Sequence, residues 1–424
     1  MDATATLEAG RFKLRFWHHI LIFLFAYAVL ISRRPDAVLH PQFYAEDGHV
    51  WFADAYNLGW WTALFRAQDG YFQTFPRLGA ALALLFPLAV APLVLNLIAI
   101  AVQALPVTIL LSKRSAGWGS LRFRAAMAAM YLALPNCREM GAIITSSQWI
   151  VALCVFLLLA APAPKGWAGR VIDVVLLALC GLTGPFCFLL VPIALFLAWR
   201  TRDRWHWVLA GLLCAFCVLQ AWGLLVINPA GRAASPLGAS PALFLRIVAG
   251  QVYLGTLLGG NGLAARAGAG VFAFLLCVAI GGTAIAAVCF ARASIEWKLL
   301  FVFSCLLLAA SLVSPAAYPP AGITRWELLA NVGGIRYWFF PTLAFAWCLL
   351  WCARRRAGAM AAASVLLLCA MSFGVVRDWH HPALKDLHYR EFTESFSTAP
   401  AGTVVVVPEN PQGWNIRLVK RATY

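Results

Sequence analysis

Residues 77–112 read RLGAALALLFPLAVAPLVLNLIAIAVQALPVTILLS, an apolar stretch whose one charge is Arg77 at its start. A straight helix of that length would run about 54 Å at 1.5 Å per residue, well beyond the roughly 30 Å of a bilayer's hydrocarbon core. Pro87 and Pro92 break the stretch, so it holds either a short surface or half-inserted helix followed by one crossing, or two crossings. Positive charge chooses between them, because cytoplasmic loops are enriched in Lys and Arg. With one crossing, Lys113, Arg114, Arg122, Arg124, Lys165, Arg170, Arg200, Arg202, Arg204, Arg292, Lys298 and Arg354 to Arg356 all fall on the N-terminal side. Two crossings would invert every later cluster, so one crossing is expected.

The same reading extends along the chain. Of its 424 residues 62% are hydrophobic and 12% charged, against about 45–50% and 25% in a soluble domain. A bilayer asks for roughly 20 apolar residues per spanning helix, with backbone polar groups paired inside the segment, so the composition predicts an all-α polytopic membrane protein. Apolar runs put its spans near 16–32, 77–112, 121–135, 142–161, 170–183, 185–199, 207–227, 268–291, 297–313, 336–353 and 357–376, about eleven in all. Residues 1–376 then form the transmembrane domain, and 377–424 a small periplasmic C-terminal segment with a short helix and a hairpin or extended pair. The expected setting is a bacterial inner membrane, with the N-terminus cytoplasmic and the C-terminus periplasmic.

Four segments lie outside on this count: 33–76, 135–146, 228–243 with some sequence beyond, and 314–335. Residues 243–260 are apolar but short and glycine-rich, and are expected to lie on the outer leaflet or re-enter. The net charge of +16 sits mainly in short loops, where it encodes orientation and calls for no nucleic acid. The cysteines, Cys154, Cys180, Cys214, Cys277 and Cys305 among them, fall inside apolar stretches without CxxC spacing and read as small hydrophobes. Arg11, Lys13 and Arg15 precede an apolar run with no convincing cleavage site, which reads as a retained first helix. No inverted repeat is visible, which counts against a secondary transporter.

The first outer loop carries the chemistry. It opens HPQFYAEDGHVWF, with Glu46 and Asp47 adjacent and His40, Phe43, Tyr44, His49 and Trp51 around them. The chain holds only 17 acidic residues, so a neighbouring pair at the outer face suits an acid/base or metal site, while capping of the helix that follows is the plain alternative. Next, VWFADAYNLGWWTALF has helical apolar spacing and tryptophans suited to headgroup depth, as in a helix lying on the outer leaflet. DGYFQTFPRL brings Asp69, Tyr71, Gln73 and Arg77 to the next helix. An arginine there wants an anion, and its planar fork fits phosphate, although snorkelling to headgroups serves as well.

The second outer loop, LPNCREMGAIITSSQWIVAL, offers Arg138, Glu139, Gln148 and Trp149, a set suited to a phosphate and a stacked sugar ring. TGPF at Thr183 to Phe186 reads as a tight turn without chemistry. GGIRYWFFP places Arg336 and Tyr337 after Gly333 and Gly334, where Arg336 could complete a phosphate clamp with Arg77 or Arg138, or simply anchor an aromatic belt. His380, His381 and His388 lack a ligand pattern and read as solvated.

An acidic pair in a long first outer loop, interfacial helices after it and outer arginines in such a bundle resemble the GT-C superfamily of polyprenyl-phosphate-dependent glycosyltransferases. The residues that carry the likeness are YAEDG, FPRL, SSQW and GGIRYWFFP, with PENPQGW in the tail. The resemblance implies a GT-C-like fold, a polyprenyl-phosphate sugar donor, a periplasmic glycan or lipid acceptor and an inverting-type general-base mechanism. Asp47 would deprotonate the acceptor, with Glu46 orienting it or helping to hold a divalent cation, Mg or Mn; which carboxylate is the base stays open. Arg77, Arg138 and Arg336 would neutralise the departing phosphate. Tyr44, His49, Asp69, Gln148, Trp149 and Tyr337 are the candidates for holding substrate. A lipid-linked glycan flippase would need ionisable residues near mid-membrane, and a polysaccharide polymerase or ligase would use outer arginines without an essential acid.

Overall fold

A computed structural model describes residues 15–227, 235–260, 272–355 and 358–422. Arg11, Lys13, Arg356 and residues 228–234 of the third outer loop lie outside the described residues. The chain is mostly helical, and among the described residues seven helices are long and apolar enough to cross a membrane: Phe16–Arg33, Leu88–Leu111, Arg204–Ile227, Pro241–Leu258, Phe272–Arg292, Ile295–Val313 and Ala359–Arg377. Arg325–Asn331 and Arg336–Ala353 form an eighth candidate, bent by 73° at the break between them. The protein is thus built as a multi-pass membrane protein.

All eleven expected regions hold helix over their described residues, but four of the helices are short. Leu121–Leu132, Ser147–Leu159, Trp167–Gly181 and Phe186–Thr201 have 12, 13, 15 and 16 residues. At 1.5 Å per residue they run about 18–24 Å, less than the hydrocarbon core. Ser147–Leu159 is buried at every position but Gln148, so its apolar run is a core helix inside the protein. Hydropathy alone cannot separate that case from a lipid-facing span. Conversely, Pro241–Leu258 is one continuous helical stretch of spanning length, longer than its glycines suggested.

The stretch 77–112 passes once from end to end of the bundle. Thr74–Ala83 stays at one end, where the Thr74 amide bonds the Leu182 carbonyl at 2.9 Å. Pro87 is non-helical at ψ 147°, and Pro92 opens the long helix, where a missing N–H costs nothing. That helix runs from Leu88, whose carbonyl takes the Tyr389 hydroxyl at 2.6 Å, to Leu110, whose carbonyl takes Arg124 Nη1 at 2.7 Å. The basic loops meet at this second end: Arg114 grips Asp173 with two bonds of 2.6 and 2.9 Å, Arg170 covers Trp205, and Arg354 covers Phe123.

At the first end the C-terminal segment folds back on the bundle. Tyr389–Thr398 is a helix, and Val404–Glu409 pairs antiparallel with Trp414–Val419 in the register Val407 opposite Ile416. Val407, Ile416 and Leu418 are buried on one face, the period-2 pattern of a half-covered pair. A second, two-residue pair joins Ala67–Gln68 to Tyr71–Phe72, so the fold departs from all-α at these two hairpins. Between the ends the core is aromatic, with Phe156 stacked on Phe303 at 5.3 Å and Trp118 edge-on to Trp297 at 5.4 Å.

Candidate functional site

The acidic loop is shaped by contacts with residues remote in sequence. Tyr44 bridges Asn410 in parallel fashion, with the Ala45 amide 2.5 Å from the Asn410 carbonyl and the Asn410 amide 3.2 Å from that of Phe43. Ala45 turns through the left-handed region at φ 49°, and the chain then enters a wide π-helical turn, Asp47–Phe52, before Ala53–Leu58. A side chain at Gly48 would displace its neighbours in that turn. A Cβ there would stand 2.1 Å from Glu409 Oε2, because Glu409, buried by the tail, accepts the His49 amide at 3.1 Å and pairs with His49 Nδ1 at 2.7 Å.

The two neighbouring carboxylates end in different surroundings. Asp47 is 2% exposed. Its Oδ1 accepts from the Thr145 amide (3.0 Å) and hydroxyl (2.5 Å), and its Oδ2 from the Ile144 amide (3.2 Å). Burial pushes its pKa up to about 7 despite those three bonds. Glu46, one residue earlier, faces a cavity of about 490 Å³.

That cavity gathers residues from six parts of the chain. Glu46 and Trp51 come from the first loop, Asp69 and Gln73 from the small hairpin and the turn after it, Thr145, Gln148 and Trp149 from the second loop, and Arg336 and Tyr337 from the bend before Phe339–Ala353. Trp149 stands edge-on to Phe186 at 5.0 Å and to Tyr337 at 5.8 Å. The Tyr337 hydroxyl is held by the Ala316 amide at 2.8 Å. Arg336 donates its amide to Glu139 Oε2 at 3.1 Å and brings Nη1 to 3.5 Å from the same oxygen. The opposite wall is apolar, with Phe188 and Leu189 from one helix and Leu307, Ala310 and Val313 from another. Val313 is 73% exposed, so this wall leads to the outer surface of the bundle. Acid, guanidinium, aromatic faces and an apolar exit thus share one chamber.

No protein-family profile matches the sequence, and no curated protein does. Among solved structures, the apo form of the oligosaccharyltransferase of Archaeoglobus fulgidus is similar to this chain at a TM-score of 0.44 and 12% identity, over 91% of this chain and 59% of that one. The chain therefore spans less than two thirds of that protein's length.

Other expected site residues lie elsewhere. Arg77, 2% exposed, pairs with Asp54 Oδ2 at 3.1 Å and lies over the Trp51 ring at 5.0 Å. Trp51 in turn donates its indole N–H to Thr145 Oγ1 at 2.7 Å. Arg77 thus props the loop from behind, and the three arginines do not meet in one clamp. Arg138 and Tyr44 line a neighbouring recess, and His49 belongs to the Glu409 pair. Removal of Asp54 would strand a buried guanidinium, so Asp54→Ala should destabilise the protein by about 3 kcal/mol. Thermal unfolding in detergent checks this, and an unchanged midpoint contradicts it.

Asp47 has no free oxygen to offer a divalent cation. Both Asp47 oxygens already take donors, and among the described residues no three His, Cys, Asp or Glu side chains gather as a ligand set. The residues that the sequence reading passed over are Thr145, Glu409, Asn410 and the TGPF turn. Thr183 Oγ1 accepts the Phe75 amide at 3.0 Å while Pro185 and Phe186 line the chamber. A signal existed for two of them: Glu409 and Asn410 sit in the quoted PENPQGW, a polar turn after four valines. His381, expected in solvent, lies instead in the recess beside Arg34 and Arg138.

Proposed function

We propose that the chamber is the active site of a membrane glycosyltransferase that moves a sugar from a polyprenyl-phosphate donor to a glycan or lipid acceptor at the periplasmic face. The observation that carries this reading is the joint presence, in one 490 Å³ cavity, of Glu46, Arg336, the Trp149–Tyr337 aromatic pair and an apolar wall that reaches the bundle surface. A lipid-linked sugar phosphate needs those four things: a base for the acceptor, a cation for the phosphate, a platform for the ring and a lipid-compatible path for the chain.

In this mechanism Glu46 takes the proton of the acceptor hydroxyl as its oxygen attacks the anomeric carbon. The bond from that carbon to the phosphate oxygen breaks, and polyprenyl phosphate departs with the added negative charge. Arg336, oriented through Glu139, stabilises that charge, a contribution that grows in the transition state. Gln148 and Asp69 hold sugar hydroxyls. Glu46 is preferred to Asp47 as the base because Asp47 is closed off beneath Thr145. A base must reach the proton that it removes.

The test is a transfer assay with purified protein, polyprenyl-phosphate sugars and a panel of glycan and lipid acceptors. Arg336→Ala should lower kcat/KM by about 100-fold or more, as loss of one preorganised charge donor does. Full activity of that variant, or no transfer with any donor, would overturn the reading.

A further inference from the structure

Beside the chamber lies a second recess of about 150 Å³, and Arg34, Tyr44, Arg138, Glu139 and His381 line it. Its charges are unequally matched. Glu139 is engaged with Arg336 through the amide and Nη1. Arg34, 5% exposed, gives one Nη1 hydrogen to the Gly141 carbonyl at 2.8 Å, and its Nε stands 3.8 Å from Asp36. Asp36 itself accepts the Leu384 amide at 3.0 Å. Arg138 is exposed, and among the described residues no carboxylate comes within ion-pair distance of its guanidinium. Arg33, next in sequence and buried, gives its hydrogens to the carbonyls of Leu132, Leu134, Asp378 and Trp379 and lies over the Trp379 ring at 5.8 Å.

We propose that this recess is an oxyanion site, in which Arg138 and Arg34 grip the phosphate or carboxylate group of a ligand and His381 donates an N–H to it. The guanidinium fork matches two oxygens of such a group at once. Arg34 is buried with one carbonyl bond and a carboxylate no nearer than 3.8 Å, and an anion in front of it offsets the cost of burying its charge. His381 fits the same picture: burial and the charges of Arg33, Arg34 and Arg138 hold its pKa well below the usual histidine range, so it stays a neutral donor. Recess and chamber are joined through neighbouring residues: Tyr44 lines the one and Glu46 the other, and Glu139 of the recess holds Arg336 of the chamber. If the chamber transfers sugar, as proposed above, the group held here belongs to an acidic acceptor; this last step rests on that reading, while the oxyanion site does not.

The probe is inorganic phosphate, titrated into the full-length protein in phosphatidylcholine nanodiscs and followed by the broadening of its ³¹P resonance. Wild type should broaden the line saturably, Arg138→Ala should reduce the effect at least tenfold, and Arg138→Glu should abolish it. Arg390→Ala, at a side chain 92% exposed on the tail helix, should leave it unchanged. Nanodiscs that also contain phosphatidylglycerol separate the sources. Displacement of free phosphate assigns the site to a lipid headgroup, and persistence assigns it to a water-soluble ligand. Broadening that is equal in wild type and Arg138→Glu, or absent from both, would sink the site whether or not the protein transfers sugar.

Discussion

Glu46→Gln should reduce sugar transfer by about 10³-fold, the scale of a lost general base, with little change in stability because the side chain lines an open chamber. Asp47→Asn should behave otherwise. Asp47 lies among donors, so an amide in its place turns an N–H towards the Thr145 or Ile144 amide, and the main effect is on folding. The pH dependence separates the two further. Burial raises the Asp47 pKa from 3.8 to about 7, so the folded state prefers the neutral acid. That preference contributes in full below the unfolded value, weakens as pH rises from about 4, and is gone once pH passes about 7. Thermal midpoints of wild type should therefore fall across this window, and the profile of Asp47→Asn should be flatter. Identical slopes refute the linkage. A stable, fully active Glu46→Gln beside a dead but stable Asp47→Asn would exchange their roles.

The second large effect is expected at a residue that touches no part of the chamber. Glu409 is buried, and burial pushes its pKa up although His49 opposes the shift. Burial likewise works against a charge on His49, yet the hydrogen bond and charge of Glu409 raise its pKa overall. Glu409→Ala breaks this pair and should cost about 3–5 kcal/mol. It also frees the turn that presents Glu46, and a misplacement of about 1 Å is worth roughly 100-fold in rate. The loss should appear in kcat more than in KM, since Trp149, Tyr337 and Arg336 stay in place. Glu409→Gln, which still accepts the His49 amide, should recover part of it. A Glu409→Ala protein with wild-type turnover would show that the pair does not position the base.

Much of this architecture was legible in one dimension. Pro87 and the basic loops locate the single passage of 77–112 because both act locally, through a missing donor and through charge. YAEDG, SSQW and GGIRYWFFP reach one chamber because their polar residues interrupt apolar sequence where helices end. What stayed hidden was relational. Adjacent Glu46 and Asp47 look alike in sequence, and only the packing of Ile144 and Thr145 against one of them tells them apart. Arg77 looked like a phosphate ligand because its partner, Asp54, lies 23 residues away along the chain. Seven or eight helices have the length and composition of spans among the described residues, and hydropathy does not decide for the shorter ones: a helix wrapped in protein, as Ser147–Leu159 is, has the hydropathy of one wrapped in lipid.

The clasp between residues 43–45 and Asn410, and the bond between His49 and Glu409 across 360 positions, bear on how the protein matures. The apolar helices can enter the bilayer while the polypeptide is still being made, but the turn that carries Glu46 takes its final form only after the last hairpin has emerged and docked. A nascent or shortened chain would therefore be inserted yet inert.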